Sequence, residues 1–188
     1  FPTTCCAEEE PAGSAEIDDK AKSSILLCAD TGEVIYEKNA YEHLSPASVT
    51  KVMSMLLVLE AIESRKISPD DEVSTSENAV AMGGSQIWLE QGETMTVDEL
   101  FKAVVIASAN DACTALAEYI AGSTASFVTM MNERAKELGL ENTNFENCTG
   151  LDDTATNHYS CAYDIAVMAR EVIRHDLVRN YTTVWLDY

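Results

Sequence analysis

The stretch that most constrains this chain is LSPASVTKVMSMLLVLE, residues 44–60. Val52, Met53, Met55, Leu56, Leu57, Val58 and Leu59 leave a helix here almost no polar side, so it must be buried on most faces. Pro46 and Ala47 stand where a helix start tolerates them, and the apolar pattern lapses at Ser64, Arg65 and Lys66. One charge stands at the head of this element, Lys51. Burying an ammonium is costly unless it is paired or gives up its proton. Ser48 lies three residues earlier, so on a helix the two side chains share a face. That spacing admits two readings. A capping serine and a lysine whose stem snorkels to water would explain it without chemistry. A serine nucleophile with a lysine base explains it equally, because an apolar, desolvated helix start lowers a lysine pKa.

The 188 residues suffice for one domain with its own core. A net charge of −20, from 32 acidic and 12 basic residues, leaves little Lys/Arg footprint for nucleic acid or an anionic membrane surface. No stretch approaches the roughly eighteen uncharged apolar residues that a spanning helix needs. The opening FPTTCCA, followed by EEEPAGSAEIDDK, fits the tail of a secretory signal peptide or a plain terminal segment. Residues 1–20 are read as this remnant and a flexible acidic lead-in, and 21–188 as one domain. None of the six cysteines (Cys5, Cys6, Cys28, Cys113, Cys148, Cys161) forms a CxxC pair, and Cys148, His158 and Cys161 match no zinc spacing. No metal and no cofactor are expected. Cys28 and Cys113 read as small core residues, with a disulfide left open.

Along the chain, apolar runs at Ile25–Cys28 and Val34–Tyr36 flank Asp30-Thr31-Gly32 and predict a hairpin. Residues 72–96, broken by Gly83, Gly84 and Gly92, read as irregular. Four further helices are predicted: from Asp98 through ELFKAVVIAS, over DACTALAEYIA to Gly122, over TASFVTMMNERAKEL to Gly139, and a last one over AYDIAVMAREVIRH. A hairpin and five helices result, with no repeat. An isolated two-stranded hairpin is marginal in water, and no further strands are evident to complete its sheet. Ser108 and Asn110 sit between two apolar helices, where polar side chains need a reason; capping of the second helix is the bland one. A second S-x-N, Ser76 to Asn78, lies in a polar segment and is the weaker candidate.

Together, Ser48-x-x-Lys51 and Ser108-x-Asn110 resemble the signature of the penicillin-interactive serine enzymes. Beyond the motifs, ADTGEVIYEKNA, LSPASVTKVM, LFKAVVIASANDAC, FVTMMNERAKELGLENTNF, CTGLDD and HYSCAYDIAVMAR are similar, in order and spacing, to segments of the serine-type D-alanyl-D-alanine carboxypeptidases, the low-molecular-mass penicillin-binding proteins. The likeness covers about residues 22–188. It implies an α+β, β-lactamase/transpeptidase-like fold, truncated to an N-terminal hairpin and a helical cluster without the C-terminal strands, which makes residues 21–188 an incomplete catalytic domain. It implies an exported enzyme acting at the outer face of the bacterial membrane on peptidoglycan stem peptides ending in D-Ala-D-Ala, and acylated by β-lactam antibiotics. In that scheme Ser48 attacks the carbonyl between the two D-alanines and Lys51 takes its proton. The Ser48 N–H gives half of an oxyanion hole. Ser108 relays a proton to the leaving D-alanine, and Asn110 holds Lys51 and the substrate amide. A membrane anchor would have to come from a missing C-terminal region. His158 and Tyr159 lie in a family-like segment but take no chemical step in it.

The chain departs from the family pattern at one place: no Lys-Thr-Gly occurs, Thr31-Gly32 following Asp30 and Thr149-Gly150 following Cys148. In the family that strand carries the positive charge for the substrate carboxylate and the second oxyanion donor. A β-lactamase is the runner-up, but the class A Glu-x-x-Leu-Asn stretch is absent and SAN replaces SDN. A non-catalytic β-lactam sensor or wall-binding domain on the same fold is the third reading. Losing one oxyanion donor typically costs about two to three orders of magnitude in rate. The 188-residue chain alone is therefore expected to show little or no carboxypeptidase activity. Full turnover of a D-Ala-D-Ala peptide by the purified chain would overturn this.

Overall fold

The fold is organised around the apolar helix of residues 51–63. The structure is a computed structural model that describes residues 20–151 and 155–184. The reading of residues 1–19 as leader and lead-in lies outside the described residues, as do Asp152 and Asp153 of CTGLDD.

Strands β1 (Ser24–Leu27) and β2 (Val34–Lys38) form the predicted antiparallel hairpin, with Leu26 opposite Tyr36 and an irregularity between Leu26 and Leu27. Its turn depends on Gly32, at φ +78°, whose missing Cβ leaves room for the Arg170 guanidinium. That guanidinium donates to the carbonyls of Ala29 at 2.6 Å and Asp30 at 2.8 Å, tying the hairpin to the rest of the chain. Leu26 and Ile35 remain exposed.

A 3-10 turn, Ala47–Thr50, leads into α1 (Lys51–Glu63), so Ser48 precedes the α-helix rather than lying on it. The i, i+3 eclipse of a 3-10 turn still keeps Ser48 and Lys51 on one face. Met53, Leu56 and Leu59 of α1 are fully buried, as the all-round apolar pattern requires. Packed against α1 are α3 (Val97–Ala107), α4 (Asn110–Ala121), α5 (Thr124–Glu137) and α6 (Ala162–Val172). Local signals set their ends. Thr96 and Glu99 form a reciprocal capping box at α3, Ser123 caps α5, and Gly122 ends α4 in the left-handed region at φ +79°. Arg134 of α5 reaches back to Glu60 of α1 at 2.8 Å.

Three expectations need correction. The segment 72–96 is not irregular throughout: β3 (Glu72–Ser74) pairs antiparallel with β4 (Thr94–Thr96), and α2 (Glu77–Val80) lies between them. Three-residue strands show no readable alternation; only Val73 turns fully inward. A further helix, α7 (Asp176–Thr182), follows the one read as last. Its sequence is polar, and it is held by burial of Val178 and Tyr181, with the Tyr181 ring edge-on to Phe101 at 5.0 Å and its hydroxyl on Asp98. Cys28 is half-exposed at the hairpin end, not a core residue, whereas Cys113, Cys148 and Cys161 are buried; all four are free thiols. No described helix is long and apolar enough to cross a membrane.

The loop 82–89 is anchored on the first turn of α4. The Asp111 carboxylate, 1% exposed, accepts the N–H of Ile87 at 3.1 Å and of Leu89 at 3.2 Å. Asp111→Ala leaves both donors without that acceptor, and about 2–4 kcal/mol of stability should be lost. Asp111→Asn, which keeps one oxygen, should lose less. An unchanged urea midpoint for Asp111→Ala would show that the loop is held elsewhere.

Candidate active site

The two residues of the first motif have opposite exposures. Ser48 is exposed, whereas Lys51 is 2% exposed. Lys51 Nζ donates to the carbonyl oxygen of Thr149 at 2.9 Å and lies 3.4 Å from Ser48 Oγ. No described carboxylate forms a salt bridge with it. Burial therefore dominates, holding its pKa below the ordinary lysine value; the thiols of Cys113 and Cys148 oppose the shift but are outweighed. A lysine whose charged form is disfavoured by burial, 3.4 Å from an exposed hydroxyl, is placed to accept that hydroxyl's proton when it is neutral.

What surrounds Lys51 is set largely by residues 147–150. Asn147 Oδ1 accepts the N–H of Thr149 at 3.1 Å and of Gly150 at 2.6 Å. The carbonyl of Cys148 accepts from Ser54 Oγ, one turn along α1, at 2.7 Å, and from Cys113 Sγ, on the first turn of α4, at 3.3 Å. The segment thus joins the two helices that carry the candidate residues. Gly150, at φ +80°, lies against the turn before α1. A Cβ there would meet the Ala47 carbonyl oxygen at 1.7 Å, so only glycine fits without displacing the backbone beside Ser48. These residues carried no chemical argument at the level of sequence; CTGLDD was legible only as part of the resemblance.

Ser108 terminates α3 in the left-handed region, at φ 55° and ψ 34°, and is half-buried. Asn110 opens α4 and is 4% exposed. Its Nδ2 donates to the Gly83 carbonyl at 2.7 Å, and its N–H to the Ser85 carbonyl at 2.7 Å. Asn110 Oδ1 is buried without a hydrogen-bond partner, so the expected bond from Lys51 to Asn110 is not formed in this structure. The Ser76–Asn78 pair behaves as a cap: Ser76 accepts from Ala79 N–H, and both side chains donate to Glu118. Left-handed non-glycine residues occur at Ala47, Trp88 and Ser108, close in sequence to these groups, and elsewhere at Asn39 and Arg65. No group of three His, Cys, Asp or Glu among the described residues is disposed to hold a metal ion.

The sequence pattern of one family, D-alanyl-D-alanine carboxypeptidase, matches residues 8–187. The chain is 50% identical over 188 residues to D-alanyl-D-alanine carboxypeptidase DacF of Bacillus subtilis, covering 100% of this chain and 48% of that protein. Among solved structures, D-alanyl-D-alanine carboxypeptidase DacD from Francisella tularensis superposes with a TM-score of 0.83 at 34% identity, covering 94% of this chain and 41% of that one. Penicillin-binding protein D2 from Listeria monocytogenes, in its ampicillin-bound form, gives 0.77 at 29% identity, covering 87% of this chain and 66% of that one. The α+β fold is thus that of the penicillin-binding proteins, and the chain spans about half the length of the curated relatives it matches.

The buried lysine has a consequence for stability. In the unfolded chain Lys51 titrates at its ordinary 10.5, above its folded value. Between those two values unfolding takes up a proton, so stability rises with pH and the burial cost is fully present only below the folded pKa. Wild type should therefore gain stability relative to Lys51→Met as pH is raised toward 10.5, measured by urea denaturation at each pH. A difference that stays constant with pH would mean that the lysine keeps its ordinary pKa.

Proposed function

The chain belongs to the D-alanyl-D-alanine carboxypeptidase family, and from that premise we propose that it carries the nucleophile and base of an enzyme that removes the terminal D-alanine from peptidoglycan stem peptides. The observation that carries the reading is the exposed Ser48 hydroxyl 3.4 Å from the amine of a buried, charge-disfavoured Lys51. Ser48 Oγ attacks the carbonyl carbon between the two D-alanines as its proton passes to Lys51 Nζ. The Ser48 N–H accommodates the developing oxyanion. Ser108 relays the proton held by Lys51 to the departing D-alanine nitrogen as the amide C–N bond breaks, leaving an ester on Ser48 and Lys51 neutral again. Water then cleaves the ester and frees Ser48. Asn110 Oδ1, buried and unpartnered, offers an acceptor for the substrate amide N–H or for Lys51.

β-Lactams share the acyl-D-Ala-D-Ala shape and acylate the same serine; the ampicillin-bound relative supports this part of the reading. The natural substrate lies in the cell wall, so the enzyme works outside the cytoplasm.

The test uses the full-length protein with fluorescent penicillin and a D-Ala-D-Ala peptide. Stable labelling, release of free D-alanine, and loss of both in Ser48→Ala are expected. Stable labelling without turnover would indicate a sensor, and transient labelling a β-lactamase. Labelling retained in Ser48→Ala would move the nucleophile elsewhere.

A further inference from the structure

His158 takes no part in the scheme above, yet it is 7% exposed and both of its ring nitrogens are engaged. Nδ1 accepts the backbone N–H of Glu146 at 3.0 Å. In the neutral ring the hydrogen is then on Nε2, which donates to Thr50 Oγ1 at 2.7 Å, across 108 residues of sequence. Thr50, 1% exposed, is the last residue of the 3-10 turn and stands between Ser48 and Lys51. The histidine is itself firmly seated. Phe145 meets the ring edge-on at 5.8 Å, and the Glu146 carboxylate accepts the N–H of Thr156 at 2.8 Å and of Asn157 at 2.9 Å.

The turn that Thr50 ends needs such a clamp. Ala47 begins it at φ 45°, a conformation that is unfavourable for an L-residue and persists only where the surroundings over-determine it. Within the turn the Val49 N–H bonds the Pro46 carbonyl at 3.0 Å. From outside, Gly150 bears on Ala47 at the start of the turn and His158 bonds Thr50 at its end. The distance under control is the 3.4 Å between Ser48 Oγ and Lys51 Nζ, at the long edge of hydrogen bonding. A small rotation of the turn either closes it to proton-transfer range or opens it.

We propose that His158 is a positioning residue for the Ser48 reaction, its Nε2–H bond to Thr50 fixing the turn that holds Ser48 Oγ against Lys51 Nζ. The proposal rests on Ser48 being the nucleophile.

The experiment follows fluorescent-penicillin labelling of the full-length protein in time, separating the saturating acylation rate constant, the half-saturating concentration and the final labelled amplitude. His158→Ala should lower the rate constant about 10- to 100-fold, the scale on which small misplacements act, with half-saturation and amplitude little changed. His158→Gln, whose amide N–H reaches toward the position of Nε2–H, should recover most of the loss. Thr50→Val should reproduce the loss, and the double variant should be no slower than either single one, since both break the same bond. If His158→Ala does not fold, Thr50→Val and His158→Gln carry the test. A wild-type rate constant in His158→Ala, or in Thr50→Val, overturns the proposal. So does a loss confined to amplitude, which reports fewer folded molecules, or a His158→Gln as slow as His158→Ala. Failure of wild type itself to label at Ser48 would sink the nucleophile reading and this one together; normal wild-type labelling with an unaffected His158→Ala would sink only this one.

Discussion

The contact between the Lys51 amine and the Thr149 carbonyl is the interaction on which the rest of the arrangement depends. An amine at the head of an apolar helix, with no described carboxylate beside it, can be tolerated only if something polar meets it or its charge is disfavoured. Both occur here. The carbonyl is aimed by a tight turn that Asn147 closes, and the preceding carbonyl, of Cys148, bonds Ser54 on α1 and Cys113 on α4. One four-residue segment therefore satisfies the lysine and fastens together the helices that bear Lys51 and Asn110.

The same segment explains why the serine side of the pair is constrained. Gly150 approaches Ala47 so closely that no side chain fits, and Ala47 accepts a left-handed conformation in return. Strain held in place by surrounding structure clusters at functional sites, and here it sits beside the exposed serine whose partner stays buried. The asymmetry between exposed Ser48 and buried Lys51 follows: the turn stands outside the core and α1 plunges into it. An unpaired Asn110 Oδ1 nearby in sequence to strained Ser108 is the kind of unsatisfied acceptor that native folds rarely leave buried without use.

Elements with long, one-sided or all-round apolar patterns were legible in the sequence. α1 is apolar throughout, α5 carries Phe127 and Met131 at helical spacing, and Gly122 marks the end of α4. The elements missed are of one kind. β3 and β4 are three residues each, and α7 is a polar seven-residue helix. Such short pieces carry no periodicity; they exist because Val73, Val178 and Tyr181 find places in a core made by other elements. Cys28 erred the other way, since an apolar neighbourhood in sequence did not become one in space.

The sequence by itself determined that Ser48 and Lys51 share a face, because a helical pitch makes residues three apart neighbours whatever surrounds them. Through its ordered family-like segments it also determined the family. Only the tertiary structure decided which of the two is buried, that Thr149 rather than Asn110 meets the lysine, and that His158 and Gly150 bear on the turn. Those contacts join residues some hundred positions apart, and hydrogen-bond partners at that range are chosen by packing, which no local spacing encodes.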